Sequence, residues 1–169
     1  MAADTERRRF LAIYLEDHLA VATVGVALAR RLRGSNEGDG EMGEPLTRIC
    51  EQLEAERKAL VEAMTALGVK PSRFKNLAAV AGERLGRLKL NGRLTGYSPL
   101  SRVVELEVLG AHVGASRSLW RALAQSVGEE LAGNRPGDLA ERAESRLAEI
   151  EKLHRLAVER ALPGRGQTL

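Results

Sequence analysis

Apolar residues recur every three or four positions along most of this chain, the spacing that places them on one face of an α-helix. The first predicted helix covers about residues 5–33 and ends in the polar, glycine-rich segment GSNEGDGEMGEP, which predicts a flexible loop. A second helix is predicted from Pro45, which suits a first helical turn, to a stop at Gly68. Its predicted buried face contains Leu46, Ile49, Cys50, Leu53, Leu60, Met64 and Leu67.

The second half of the chain predicts three more helices. A shorter third helix opens at Pro71 and ends in NGRLTGYSP, where Ser98 is positioned to cap the next helix and Pro99 to occupy its first turn. The fourth runs from Pro99 to about residue 127, and the fifth covers about residues 138–161. We therefore predict one helical domain over residues 1–162 and a flexible tail over residues 163–169.

Composition favours the all-α class. The 169 residues are 44% hydrophobic but only 3% aromatic, so the core must consist mainly of Leu, Val and Ala, which suits closely packed helices. The single cysteine, Cys50, rules out an intramolecular disulfide and fits a reducing compartment, so we expect a soluble, cytoplasmic protein. The longest uncharged stretch, residues 19–29, is shorter than the roughly 20 residues that span a bilayer, and no membrane insertion is expected.

The helix order and two segments of sequence resemble a known superfamily. Two long helices, a shorter connecting helix and two further long helices make up the order of the ferritin-like fold. DHLAVATVGVALARR (17–31) and LKLNGRLTGYSPLSRVVELE (88–107) are similar to patterns in uncharacterised bacterial ferritin-like proteins. The resemblance implies a four-helix bundle in which the shorter helix is the crossover, and it implies no established activity.

Two ionisable residues interrupt predicted apolar faces. His18 shares a face of the first helix with Leu11, Tyr14, Leu15, Ala22, Gly25 and Ala29. Glu107 shares a face of the fourth with Leu100, Val103, Val104, Ala111 and Gly114, whereas Glu105 and His112 project toward a more polar side. A lone buried carboxylate costs several kcal/mol, so Glu107 requires a partner. We predict that His18 and Glu107 form a buried polar pair that fixes the register of the helices.

The ferritin-like resemblance also implies a candidate metal site. Di-iron members of the superfamily use single carboxylates from two helices and a Glu-x-x-His pair from each of the others. The matching residues here are Glu16, Glu54, Glu107, Glu151 and His154. No histidine follows Glu54 at the required offset, and Arg57 stands there instead. The set lacks a ligand, and an arginine at that point would repel a metal or neutralise a buried carboxylate.

Several glycines lie inside predicted helices, including Gly25, Gly82, Gly86, Gly110 and Gly114. Each costs roughly 0.5–1 kcal/mol relative to alanine. A helix retains such residues where a neighbouring backbone approaches closely, so we predict tight helix crossings.

Residues 70–93 contain Lys70, Arg73, Lys75, Arg84, Arg87, Lys89 and Arg93 against the single acidic Glu83. Such a stretch attracts nucleic-acid phosphates or anionic lipid. Only Phe74 is available for stacking on bases. A solvated face, or a contact with an acidic patch of a second subunit, is therefore the preferred interpretation.

These observations lead to one functional hypothesis and two alternatives. The hypothesis is a non-catalytic ferritin-like bundle with a degenerate metal site and no cofactor, which acts through protein association as a homodimer. The first alternative is a divergent di-metal oxidoreductase or iron-binding protein that uses the five ligands above, with iron or another divalent metal. The second is weak nucleic-acid binding through residues 70–93.

Overall fold

The computed structural model describes residues 2–70 and 97–164, which form four α-helices: α1 (Ala2–Ser35), α2 (Gly43–Ala66), α3 (Pro99–Ser126) and α4 (Pro136–Ala161). Apart from one isolated antiparallel bridge between Leu131 and Asn134, no residue in these two ranges pairs as a strand. The all-α prediction is confirmed. The predicted shorter helix after Pro71 and residues 165–169 of the predicted tail lie outside the described residues.

Two hydrophobic clusters, one toward each end of the bundle, establish the direction of each helix. The first joins the early part of α1, the late parts of α2 and α3 and the start of α4; its members include Leu15, Met64, Leu123 and Leu139. The second joins the opposite parts of the same helices and includes Leu28, Leu46, Val103 and Ala157. Helices α1 and α4 therefore run in one direction, and α2 and α3 run in the other.

The two described chain ends that flank residues 71–96 lie at opposite ends of this bundle. Val69, just after α2, packs against the first cluster. Tyr97, just before α3, bonds to Glu105, which is paired with Arg31 near the far end of α1. Consequently α2 and α3 run parallel to each other.

The helix ends agree with the turn chemistry of the sequence in most respects. Gly68 adopts φ +71°, and the backbone N–H of Val69 donates to the carbonyl oxygen of Met64, which closes α2 as predicted. Pro99 begins α3 as predicted. Ser98 occupies the N-cap with extended backbone, but its side chain makes no capping hydrogen bond.

The α1–α2 connection is shorter and more firmly packed than the flexible loop predicted from its composition. Only residues 36–42 lie between the helices. Asn36 and Met42 are almost completely buried, and the Asn36 side-chain amide donates to the carbonyl oxygen of Leu32 at 2.7 Å. Asp39 accepts hydrogen bonds from two backbone N–H groups and from Arg160 of α4. This loop therefore connects α4 to the pair formed by α1 and α2.

Helix α1 is also long and apolar enough, by length and composition, to cross a membrane. The 18-residue window that meets this criterion has a mean hydropathy of 1.5, and only 33% of it is buried within the protein. Core helices of soluble proteins and N-terminal signal sequences meet the same criterion. The expectations of a cytoplasmic location and of no membrane insertion therefore stay predictions.

Candidate functional site: a charged cluster in the bundle and an exposed helix face

Midway along the bundle lies a set of hydrogen-bonded side chains that we call the central polar cluster: Gln52, Glu56, Ser116, Trp120 and Arg146. Glu56, Trp120 and Arg146 are buried, Ser116 is half-buried and Gln52 is exposed. The carboxylate of Glu56 accepts hydrogen bonds from the Ser116 hydroxyl, from Trp120 Nε1 at 2.8 Å and from the guanidinium of Arg146. Arg146 also donates from Nε to Gln52 Oε1 at 3.1 Å. Three helices, α2, α3 and α4, are therefore joined through one carboxylate.

Both ions of this cluster are withdrawn from water. The side chain of Glu56 is 8% exposed and that of Arg146 is 4% exposed. An ionised carboxylate at such a depth is tolerated because an opposite charge and additional hydrogen bonds replace its hydration. Here the compensating cation belongs to the protein itself.

Beside the central polar cluster, a small cleft contains two histidines. His18 and Val21 of α1, Arg57 of α2 and His112 of α3 line it, together with Glu56, Ser116 and Trp120. The cleft encloses about 320 Å³ including its open mouth, but only about 10 Å³ of it accepts the centre of a water-sized molecule. That space is close to the minimum for one water molecule.

His112 is the most deeply buried histidine of the described chain, at 9% exposure, and its Nδ1 has no hydrogen-bond partner. Burial lowers the pKa of this imidazole to about 4, partly offset by the negative charge of Glu56 and reinforced by Arg146 and His18. Burial also lowers the pKa of His18, against the opposing charge of Asp17. His112 is therefore neutral at physiological pH.

The ring of His112 explains one helical glycine. A Cβ built on Gly25 would lie 2.3 Å from the His112 ring, so α1 needs glycine at the point where that ring crosses it. We predicted that this glycine allows the backbone of a neighbouring helix to approach closely. The structure shows that it makes room for a side chain instead. Gly110 and Gly114 meet no comparable crowding, so the tight crossings predicted there are absent. Gly82 and Gly86 lie outside the described residues.

A second buried carboxylate, Glu105, lies nearer the far end of α1. It is fully buried, accepts a hydrogen bond from the Tyr97 hydroxyl at 2.9 Å and forms an ion pair with Arg31 at 2.9 Å. Burial raises the pKa of Glu105, whereas Tyr97 and Arg31 act in the opposite sense. The pKa of Tyr97 is likewise raised, first by burial and then by the adjacent carboxylate.

The predicted buried pair of His18 and Glu107 is wrong. Glu107 has a side chain 55% exposed, and its carboxylate contacts His154 Nε2 of α4 at 3.1 Å. His18 is half-buried and packs edge-on against Tyr14, with ring centroids 4.4 Å apart. The prediction chose the wrong side of α3, since the helix buries the side that carries Glu105 and His112.

The five predicted metal ligands fall in different surroundings. Glu107 contacts His154, and Glu54 pairs with Arg30 at 2.7 Å. Glu151 is exposed and Glu16 is half-buried. Within residues 2–70 and 97–164, no group of three or more His, Cys, Asp or Glu side chains is arranged to hold a metal ion.

The sequence did contain a signal for the central polar cluster. Glu56 lies three residues after Leu53 and four before Leu60 on the predicted buried face of α2. Arg146 likewise lies three residues after Ala143 and four before Ile150. Opposite charges that interrupt two apolar faces are the expected mark of a buried pair.

A second candidate site is a set of exposed apolar side chains on α1, which we call the α1 stripe: Phe10, Ile13 and Val21, which are 57%, 46% and 40% exposed. These residues share one side of the helix, because they are separated by three and eight positions. Val21 also lines the cleft described above. All residues from 3 to 10 are exposed. Arg7, Arg8 and Arg9 precede the stripe, and Glu16 and Asp17 lie within its length.

Comparisons with protein-family models, with curated proteins and with solved structures gave no match for this chain. Function is therefore inferred from the residues and contacts described above.

The first prediction concerns the buried ion pair. Arg146→Met leaves the Glu56 carboxylate without its cation and is expected to lower the free energy of unfolding by about 3–5 kcal/mol. Adding Glu56→Gln to Arg146→Met should recover part of that loss, because no uncompensated charge remains. Urea unfolding of the variants measures both values; an Arg146→Met protein as stable as the wild type would contradict the pairing.

The second prediction concerns the contact between Gly25 and His112. Gly25→Ala should destabilise the fold, because the new methyl group overlaps the imidazole. In a His112→Ala background the same change should stabilise it by about 0.5–1 kcal/mol, the ordinary helical advantage of alanine. A double-mutant cycle in urea shows the reversal, and equal effects in both backgrounds would refute the contact.

The third prediction follows from the lowered pKa of His112. Between pH 6.5 and about 4, this imidazole takes up a proton in the unfolded chain but not in the folded one. Its contribution to stability is therefore complete above pH 6.5 and is lost as the pH falls through this window, by about 3 kcal/mol. His112→Gln should show a correspondingly shallower loss of stability, measured by urea unfolding at each pH. Parallel pH profiles for the two proteins would contradict this account.

Proposed function

We propose that this protein is a non-catalytic, ferritin-like helical bundle that acts through protein association, as a homodimer. The observation that carries the proposal is the pairing of Glu56 with Arg146 in the middle of the bundle. A guanidinium supplies the positive charge there, so we infer that these buried charges have a structural role.

The ferritin-like part of the proposal is supported by the directions of the helices. Ferritin-like bundles contain two helical hairpins joined by one long crossover. Here α1 with α2 and α3 with α4 are the two hairpins, and Lys70 and Tyr97 lie at opposite ends of the bundle. This arrangement is the one that a crossover within residues 71–96 would produce.

The non-catalytic part is supported by electrostatics. A divalent cation beside Glu56 would compete with the guanidinium of Arg146 and would be repelled by it at short range. Glu54, a predicted ligand on the same helix, is engaged by Arg30. Two of the carboxylates on α2 are therefore compensated by arginine.

Protein association is supported by the α1 stripe. Clusters of exposed apolar side chains beside charged residues are typical of interaction surfaces on soluble proteins. Phe10 and Ile13 lie near the start of α1, where residues 3–10 are all exposed.

One observation favours the iron-binding alternative: Glu107 and His154 present a carboxylate and an imidazole 3.1 Å apart on α3 and α4. The nucleic-acid alternative depends on residues 70–93, which, apart from Lys70, lie outside the described residues.

The fourth prediction separates these functions by metal content and molecular mass. After anaerobic incubation with Fe(II) and removal of loosely bound ions, we expect the wild type to retain no more iron than Glu107→Ala or His154→Ala. Elemental analysis measures this. Near-stoichiometric iron in the wild type that disappears in both variants would instead establish an iron site.

The same preparations provide the second readout. In sedimentation equilibrium, the weight-average mass of the wild type should rise above the 18.3 kDa of one chain as the concentration increases. A constant monomer mass would remove the homodimer from the proposal.

A further inference from the structure

We propose that the α1 stripe is a two-fold interface in which α1 packs antiparallel against α1 of a second copy of this chain, with Ile13 at the crossing point. This inference rests on the proposed function and names the surface through which the homodimer forms.

The apolar part of the stripe supplies the contact. Phe10 and Ile13 are three residues apart on one side of α1, and each exposes about half of its surface. Transferring such side chains from water into a packed interface is favourable by about 25 cal/mol for each Å² of apolar surface buried. Aromatic side chains are also among the residue types enriched at the centres of interfaces.

The charges along α1 select a second copy as the partner and fix its direction. The basic turn Arg7–Arg9 and the acidic pair Glu16–Asp17 lie on either side of Ile13. Arg9 and Asp17 are each four residues from Ile13, about 6 Å along the helix axis. A two-fold axis at Ile13 therefore places Arg9 of each copy opposite Asp17 of the other, whereas a parallel pairing would bring like charges together.

Two acidic residues on the apolar side of α1 disfavour an anionic lipid surface as the occupant. Glu6 and Asp17 are four residues from Phe10 and from Ile13, respectively, and thus lie on the apolar side of α1. A lipid surface with negative headgroups would meet two carboxylates within the contact face. A second copy meets the carboxylate of Asp17 with its own Arg9.

The fifth prediction tests the apolar contact. Ile13→Asp should weaken dimer formation at least about tenfold, because it buries a charge at the crossing point. Val108→Asp is the matched control, since Val108 is 43% exposed and lies on α3, outside the stripe. Sedimentation velocity over concentrations from about 1 to about 100 µM measures both. Circular dichroism confirms that the variants stay helical.

Reversing the charges tests the antiparallel geometry. Arg9→Glu and Asp17→Arg should each weaken the dimer, and the double variant should restore it, because the two-fold axis brings both exchanged residues together again. Such recovery is specific to the pairing, since loss of helix stability would accumulate in the double variant.

The outcomes separate this inference from the proposed function. A wild-type dimer that persists in Ile13→Asp would overturn the α1 interface while leaving the homodimer in place. A double charge reversal as weak as the single ones would overturn the antiparallel register. A wild type that stays monomeric but co-sediments with phosphatidylglycerol vesicles, and not with phosphatidylcholine vesicles, would assign the stripe to a membrane surface instead.

Discussion

The buried ion pair between Glu56 and Arg146 is the interaction on which the arrangement of the four helices depends. It joins α2 to α4, two helices that make few other contacts with each other. Ser116 and Trp120 of α3 bond to the same carboxylate, so three helices are held in one register. An apolar core tolerates small sliding movements, because its contacts are non-directional. A buried carboxylate with several fixed donors does not tolerate them, because each lost donor leaves part of a charge without solvation.

A bundle that buries carboxylates near its middle must supply positive charge at the same depth. A metal ion does this with open coordination positions that reactants can occupy. A guanidinium does it with directed N–H groups and presents no site for an added ligand. In this chain the guanidinium of Arg146 donates hydrogen bonds to the side chains of Glu56 and Gln52.

The sequence predicted the helices better than the faces they bury. Helix α2 was correct because its apolar residues form one clear stripe, from Leu46 to Met64. Helix α3 was misjudged because Leu100, Val104 and Val108 continue the apolar pattern around the helix, and neighbouring helices cover more than one side. Periodicity cannot separate two such faces, so Glu107 was expected in the core and Glu105 outside it. The apolar pattern marks Glu56 and Arg146 each as a charge within a buried face, but it does not show that the two pair, because Arg146 lies 90 positions away along the chain. Only the packing of α4 brings the two together.

Helix α1 connects the interior to the surface. Its inner side accommodates the His112 ring only because residue 25 is glycine, so its position relative to α3 is set by a contact that leaves no room for a methyl group. Phe10 and Ile13 lie nearer the start of the same helix, where residues 3–10 are all exposed. The helix carries more apolar surface than the bundle covers, since only 33% of its most apolar window is buried. The exposed apolar surface of α1 already lies on a formed helix, so little backbone conformational entropy is lost in ordering it when a partner covers it.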